Sequence, residues 1–237
     1  MFKTLSTFFG PLVAISTDIR ITPEVNEVGH WEFLDLLKIL KIYEKFYSGR
    51  TGTMLDIGCN VGSWLLPLAQ RYSQNKVLAI DCQQLAIDCV NQTISLNNLD
   101  NVQTMCCAVS NVCTVKDHNK INYSWGANFG AYEFESPYAK SDFNGRVLSE
   151  TTTIDIVTID SLHLNDVVFL KLDVEGMEYQ AINGAVDSIK RCRPFIVYEH
   201  HKTNNPATQD LLKSLDYQTY SNFGQMTVAI PQSLTTL

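Results

Sequence analysis

Long apolar runs, basic clusters and paired cysteines are all missing from this chain, and each absence removes a class of function. No stretch approaches the roughly 20 apolar residues that cross a bilayer, which sets aside a membrane-spanning role. The densest basic stretch is Lys190-Arg191-Cys192-Arg193, and 18 Lys and Arg stand against 25 Asp and Glu, for a net charge of −7. Such a chain has no overall pull on nucleic acid or anionic lipid. Seven cysteines, an odd number without C-x-x-C spacing, fit neither a disulfide framework nor a zinc site. They are expected to be small buried thiols in a reducing, cytoplasmic setting.

A third glycine is missing as well, at the most informative place. Met54-Leu55-Asp56-Ile57 is a short apolar run bounded by Gly52 and Gly58, which is expected to be a buried strand. The turn Gly58-Cys59-Asn60-Val61-Gly62 follows, and Ser63 is placed to cap a helix carrying Trp64, Leu65, Leu66, Leu68 and Ala69. A dinucleotide site wants G-x-G-x-x-G, with a pyrophosphate on the helix N-terminus. Here the pattern is D-x-G-x-x-x-G, with Asp56 where a phosphate would be repelled. Asp81 closes the next strand at the distance suited to a ribose diol. A nucleoside with an amino-acid tail and no phosphate is S-adenosylmethionine. Asp56, Gly58, Asn60, Gly62, Asp81, Cys82, Ala108 and Asp173 form the candidate cofactor set, with Ala108 in the loop expected over the adenine.

At 237 residues the chain is long enough for a large core. Met1–Ser16 faintly resembles a secretion signal, but Gly10-Pro11 interrupts it. Leu12–Ile15 is expected to be an edge strand continuing to Ile21. Pro23 to Tyr47 is expected to be one helix, with Phe33, Leu36, Leu37, Leu40, Tyr43 and Tyr47 on one face and His30-Trp31 near the pocket. Residues 1–50 would thus cover the sheet with a strand and a helix, and 51–237 would be the cofactor-binding domain. Strands are expected at Lys76–Ile80, Val102–Val109, Val167–Leu172 and Pro194–Tyr198, with a helix over Gln84–Leu96 and a closing antiparallel pair, Tyr217–Ser221 with Met226–Ile230. The β-α-β-α-β order argues an α/β fold, a seven-stranded mostly parallel Rossmann-like sheet ending in a hairpin. Val112–Val115 and Ile121–Tyr123 are expected to pair as a hairpin. Asn119–Thr153, rich in glycine and aromatics, is expected to wall the acceptor site, with Trp125, Phe129, Tyr132 and Tyr138 against a ring.

Asp56–Gly62, Thr158–Leu162, the D-V-E-G-M-E block within Leu170–Glu178, and Pro194–His200 are similar to the FkbM family of S-adenosylmethionine-dependent methyltransferases. The similarity spans roughly Gly52–His201 and departs at Cys59-Asn60, where the family often has Ala-Asn. It implies a class I methyltransferase fold, O-methylation of a sugar, glycan or natural product, and S-adenosylhomocysteine as product.

Methyl transfer from a sulfonium is an in-line displacement, so alignment does most of the work. A hydroxyl acceptor also needs a base within hydrogen-bond reach. Asp173 ends the strand aimed at the methyl and is the expected base, with Glu199 and His200 beside it from the neighbouring strand. Like-charge repulsion from Glu175 and Glu199 is expected to tune Asp173. Asp173, Glu199 and His200 are alternatively ligands of a divalent metal. Two rival functions fit less well. A ribose 2′-O-methyltransferase, with Lys171 and Asp173 in its catalytic set, is opposed by the acidic balance. A cofactor-binding module without activity is opposed by intact Asp56, Asp81 and Asp173.

Overall fold

A computed structural model describes residues 1–133, 147–200, 202 and 205–235. The chain opens with strands β1 (Phe2–Thr7) and β2 (Gly10–Ile15), then helices α1 (Ile21–Val28) and α2 (Phe33–Tyr47). Next come β3 (Thr53–Ile57), α3 (Leu65–Arg71), β4 (Lys76–Asp81), α4 (Gln84–Asn97) and β5 (Val102–Cys106). Three strands of a smaller sheet follow, β6 (Ala108–Val109), β7 (Thr114–Ile121) and β8 (Val147–Val157). The chain continues with β9 (Val167–Leu172), α5 (Glu178–Asn183), α6 (Val186–Cys192) and β10 (Phe195–Glu199). It closes with α7 (Asn205–Ser214), β11 (Tyr217–Phe223), β12 (Met226–Pro231) and α8 (Gln232–Thr235).

The main sheet has seven strands in the order β11-β12-β10-β9-β3-β4-β5. Six of them run in one direction, and β12 runs antiparallel between β10 and β11. From β3 the chain builds outward through β4 and β5, then returns to place β9 on the other side. Ligands in such sheets bind at the carboxyl ends of the strands beside that reversal. Every residue of β3, β9 and β10 is buried, as expected of strands covered on both faces.

One cover is α2, whose Leu36, Ile39, Leu40, Tyr43 and Tyr47 are buried at helical spacing. Tyr43 sits edge-on to Phe169 and Phe195, with ring centroids at 5.3 and 5.5 Å; such pairs contribute about 0.5–1.5 kcal/mol each beyond area burial. Leu37, expected on this face, is 38% exposed, and Ile39 takes the inward place. On the opposite face α5, α6 and α7 supply Ala181, Ile182, Ile189 and Leu212.

The N-terminal segment departs from expectation twice. Leu12–Ile15 does not edge the main sheet. It folds back on Phe2–Thr7 as a two-stranded hairpin, and side chains of α4 hold it: Thr93 Oγ1 accepts the Val13 N–H at 2.9 Å, and Asn97 Nδ2 donates to the Pro11 carbonyl at 2.7 Å. The expected single helix over Pro23–Tyr47 is two helices. Gly29 adopts φ +87° and its N–H returns to the Val25 carbonyl at 2.9 Å, which is how a left-handed glycine ends a helix.

Elsewhere the third strand stops at Cys106, and Ala108-Val109 crosses into the smaller sheet, ordered β6-β8-β7. The expected hairpin near Val112–Tyr123 is instead the long strand β7 paired with β8. Thr114–Lys120 is largely exposed and polar, so it carried no apolar alternation to read. Ser63 makes no side-chain cap to α3. Among the described residues no helix is long and apolar enough to cross a membrane.

Asp18 joins the two parts of the chain. Its Oδ1 accepts the N–H groups of Arg20, Ile21 and Thr22 at 2.9, 2.6 and 3.0 Å, and its Oδ2 accepts the Phe129 N–H at 3.1 Å. Asp18→Ala strands these buried donors and should cost about 2 kcal/mol of folding stability. Urea denaturation measures it, and a loss below about 0.5 kcal/mol would contradict this role.

Candidate active site

The glycine turn is shaped by what lies against it. Gly58 adopts φ +71°, and a Cβ there would fall 1.7 Å from the Asp173 carbonyl oxygen, so only glycine fits between β3 and β9. The N–H groups of Gly58 and Cys59 donate to the Ile80 carbonyl at 2.8 and 3.1 Å. Asn60, at φ +47°, donates its N–H to Asp81 Oδ2 at 2.8 Å, while Asp81 Oδ1 accepts the Gln83 N–H at 2.8 Å. Each Asp81 oxygen therefore keeps acceptor capacity. Burial raises Asp81 to about 6, against those backbone hydrogen bonds.

Above this turn opens a cavity of about 370 Å³. Its lining includes Asp81, Cys82, Gln83, Cys107, Ala108 and Val109, together with a charged group in which Lys171 neighbours Asp173, Asp173 clusters with Glu175 and Glu199, and Lys202 pairs with Glu175; Trp31 and Glu32 also line it. Gln83 is fixed from outside: its Nε2 donates to the Phe129 carbonyl at 2.8 Å, and Tyr123 Oη donates to its Oε1 at 3.1 Å.

On the lining itself sits a buried ammonium. Lys171 is 2% exposed and its Nζ lies 3.1 Å from Asp56 Oδ1 and 3.6 Å from Asp173 Oδ2. It donates to the Gly58 carbonyl at 3.2 Å. Asp56 is fully buried, and the pair is held by charge rather than by a well-aligned hydrogen bond. Burial works against the Lys171 charge, but Asp56 and then Asp173 outweigh it and hold the ammonium well above its usual range. Burial also pushes Asp56 up, with Lys171 opposing.

Three carboxylates converge in the charged group. Asp173, Glu175 and Glu199 each place an oxygen within 4.8 Å of the others. Glu175 (φ +53°) and Gly176 (φ +101°) make the turn after β9, and Glu178 Oε1 fastens it by accepting the N–H groups of Val174 and Gly176 at 3.0 and 3.4 Å. The spacing of D-V-E-G-M-E thus has a local structural cause. Lys202 pairs with Glu175 and stands 3.9 Å from Glu133. Burial, then Asp173 and Glu175, pushes Glu199 upward; burial and Asp173 push Glu175 up against the pull of Lys202. Burial carries Glu178 to about 7, and burial with Asp173 carries Glu32 to about 7.

Of the residues singled out from sequence, Gly58, Asn60, Asp81, Cys82, Ala108, Asp173 and Glu199 line the cavity. Asp56 and Gly62 lie outside its lining, Asp56 beneath the floor and Gly62 closing the turn with its N–H on the Cys59 carbonyl at 2.9 Å. His200 does not reach the site. Its Nδ1 lies 3.0 Å from Thr227 Oγ1 and its N–H donates to the Gln225 carbonyl at 3.0 Å. Alternation along the strand gives the inward place to Glu199 and turns His200 toward β12, so Glu175 stands where His200 was expected in the base or metal set. His201 lies outside the described residues.

Within the expected acceptor wall, Asn128, Gly130, Ala131 and Tyr132 line the cavity, whereas Phe129 is core and Trp125 is 54% exposed away from the lining. Tyr138 lies outside the described residues. Sequence reasoning missed Arg20, Glu32 and Lys202, which topology alone brings to the site.

An open α/β sheet in this strand order, with a glycine turn and a following acid facing one cavity, defines a class I methyltransferase architecture. The family model for the methyltransferase FkbM domain matches residues 56–222, and the chain belongs to that family. Its cofactor is accordingly S-adenosylmethionine. The crystal structure of methyltransferase FkbM from Methylobacillus flagellatus is similar over 79% of this chain, with a TM-score of 0.50 and 17% identity, and this chain spans 47% of that one. A S-adenosylmethionine-dependent methyltransferase from Aquifex aeolicus aligns over 88% of this chain and 95% of its own, at TM-score 0.44 and 13% identity. No curated protein matched the sequence.

Two outcomes are expected. Lys171→Met leaves Asp56 buried without a counter-charge and should cost about 3–5 kcal/mol in chemical denaturation; combined with Asp56→Asn, the total loss should be less than the sum. Glu32 and Glu178 bind protons more tightly folded than unfolded, so folded protein holds the extra protons. Thermal stability should therefore fall as pH rises from about 4.5 through about 7. A melting temperature that rises over that interval would contradict the burial of these carboxyls.

Proposed function

We propose that this chain is an S-adenosylmethionine-dependent O-methyltransferase acting on a hydroxyl of a sugar, glycan or natural product. The observation that carries the reading is Asp173, whose carboxylate lines the cavity at the end of β9 beside the turn that would hold the donor. The cavity fits the cofactor chemically. Asp81 has acceptor capacity for a diol, apolar Ala108 and Val109 lie beside it, and nothing at the turn suits a phosphate. When bound, S-adenosylmethionine supplies an electrophilic methyl group.

Asp81 would hold the ribose hydroxyls, and Cys82, Cys107, Ala108 and Val109 would pack on the adenine. Gly58 and Asn60 would shape the floor, with Asp56 acting through Lys171. Asp173 accepts the proton of the acceptor hydroxyl as that oxygen becomes a nucleophile. Lys171, 3.6 Å away, keeps the Asp173 carboxylate in place. Glu199 and Glu175, within 4.8 Å, supply further proton-binding groups at the same spot. Family members' preference for hydroxyl acceptors supports this substrate class, and the net charge of −7 speaks against a nucleic-acid acceptor. A second reading places a divalent ion among Asp173, Glu175 and Glu199, acidifying the same hydroxyl. Turnover that is lost on chelation and restored by added ion would favour it.

Isothermal titration with S-adenosylmethionine should show binding that weakens by about 1.5–3 kcal/mol in Asp81→Ala; unchanged affinity would remove Asp81 from the cofactor site. Asp173→Asn should lower turnover about 10²–10⁴-fold with cofactor affinity nearly unchanged. Near wild-type turnover in that variant would make Asp173 structural.

A further inference from the structure

The helix break at Gly29–Glu32 has a consequence for the cavity. Had Pro23–Tyr47 formed one helix, Trp31 and Glu32 would sit inside it. Instead Glu32 adopts φ +53°, a left-handed conformation that costs a non-glycine residue energy and concentrates at functional sites. The buried His30 braces the break, its Nε2 donating to the Ser63 carbonyl at 2.9 Å. As a result both Trp31 and Glu32 line the cavity, with Glu32 within electrostatic reach of Asp173 and Lys171. Glu32 Oε2 accepts the Trp64 indole N–H at 3.2 Å, which fixes the carboxyl and leaves its other oxygen for a ligand. The Arg20 guanidinium lies over the Trp31 ring, 5.1 Å from its centroid, and also lines the cavity.

These three residues precede residue 56, where the family match begins. The family-matched part contributes the glycine turn, Asp81 and Asp173, whereas the segment before it contributes this polar, aromatic wall. We propose that Arg20, Trp31 and Glu32 form the acceptor-recognition subsite, taking a hydroxylated ring with Trp31 against a ring face and Glu32 hydrogen-bonded to a hydroxyl other than the one methylated. The assignment rests on the hydroxyl-acceptor reading above. A carboxyl raised to about 7 can both donate and accept at neutral pH, which suits an alcohol partner. Arg20 adds a donor for an acidic ring substituent.

The test uses the full chain loaded with S-adenosylhomocysteine and saturation-transfer NMR with three probes: a neutral hexose, a hexuronic acid and an amino sugar. At least one should bind, and Trp31→Ala and Glu32→Ala should each weaken it tenfold or more while S-adenosylhomocysteine affinity, by titration calorimetry, stays within twofold. Glu32→Gln, which keeps an acceptor for the Trp64 N–H, should recover most of the lost binding. Probe binding that the alanine variants leave unchanged would overturn the subsite and leave the hydroxyl-acceptor reading standing. Loss of S-adenosylhomocysteine binding in folded Glu32→Ala would also overturn it, assigning Glu32 to the cofactor. If no probe binds the wild-type chain, the sugar reading fails and the subsite fails with it.

Discussion

The ion pair between Asp56 and Lys171 is the constraint on which the site depends. The two residues are register partners on adjacent parallel strands, β3 and β9, and both are essentially out of solvent. A slip of one strand by one residue would put the two side chains on opposite faces of the sheet and leave two buried charges unpaired. Such pairs are weak sources of stability, because desolvation offsets their attraction. What this one does is hold two strands in register at the point where the sheet reverses direction. The same ammonium reaches the Gly58 carbonyl and the Asp173 carboxylate, so register, glycine turn and candidate base are set by one side chain.

The electrostatics of the cavity follow from that arrangement. Lys171 is committed to Asp56 and Asp173, and Lys202 to Glu175 and Glu133. Carboxyls outnumber cations on the cavity lining, and burial disfavours charging them together. The outcome is a group of carboxyls that retain protons above the ordinary range, with Glu199 pushed up first by burial and then by Asp173, Glu175 and Glu178. The excess of carboxyls beside the glycine turn suits a donor that carries a sulfonium and no phosphate.

The cavity is lined by residues of the family-matched part, such as Asp81 and Asp173, and by Arg20, Ile21, Trp31 and Glu32 from the segment before it. Asp18 couples them by capping α1 and holding the Phe129 amide, which positions Asn128 and Gly130 on the lining. One short, buried carboxylate bonded to backbone amides on both sides makes this junction.

Much of the fold was legible because its signals are local. The Asp56–Gly62 turn, the apolar strands β3, β9 and β10, the helix α4, and the final hairpin all announce themselves within a few residues. Asp81 and Asp173 were legible as strand-terminal acids, and Asp173 lies in a block whose spacing is fixed by the hydrogen bonds of Glu178 to its own turn. Polar β7 escaped because its pairing with β8 is between segments distant in sequence. His200 was misplaced because two adjacent residues compete for one inward position, and only the strand's actual end decides which wins. Glu32 carried no signal at all: its place depends on a left-handed Gly29, a hairpin folded away from the sheet, and a histidine reaching Ser63. The parallel strands, the glycine turn and the acid that follows it could be read from the chain, since they depend on near neighbours along it. Which side chains share the cavity was settled by folding, because strands in register and helices in contact bring together residues from opposite ends of the sequence.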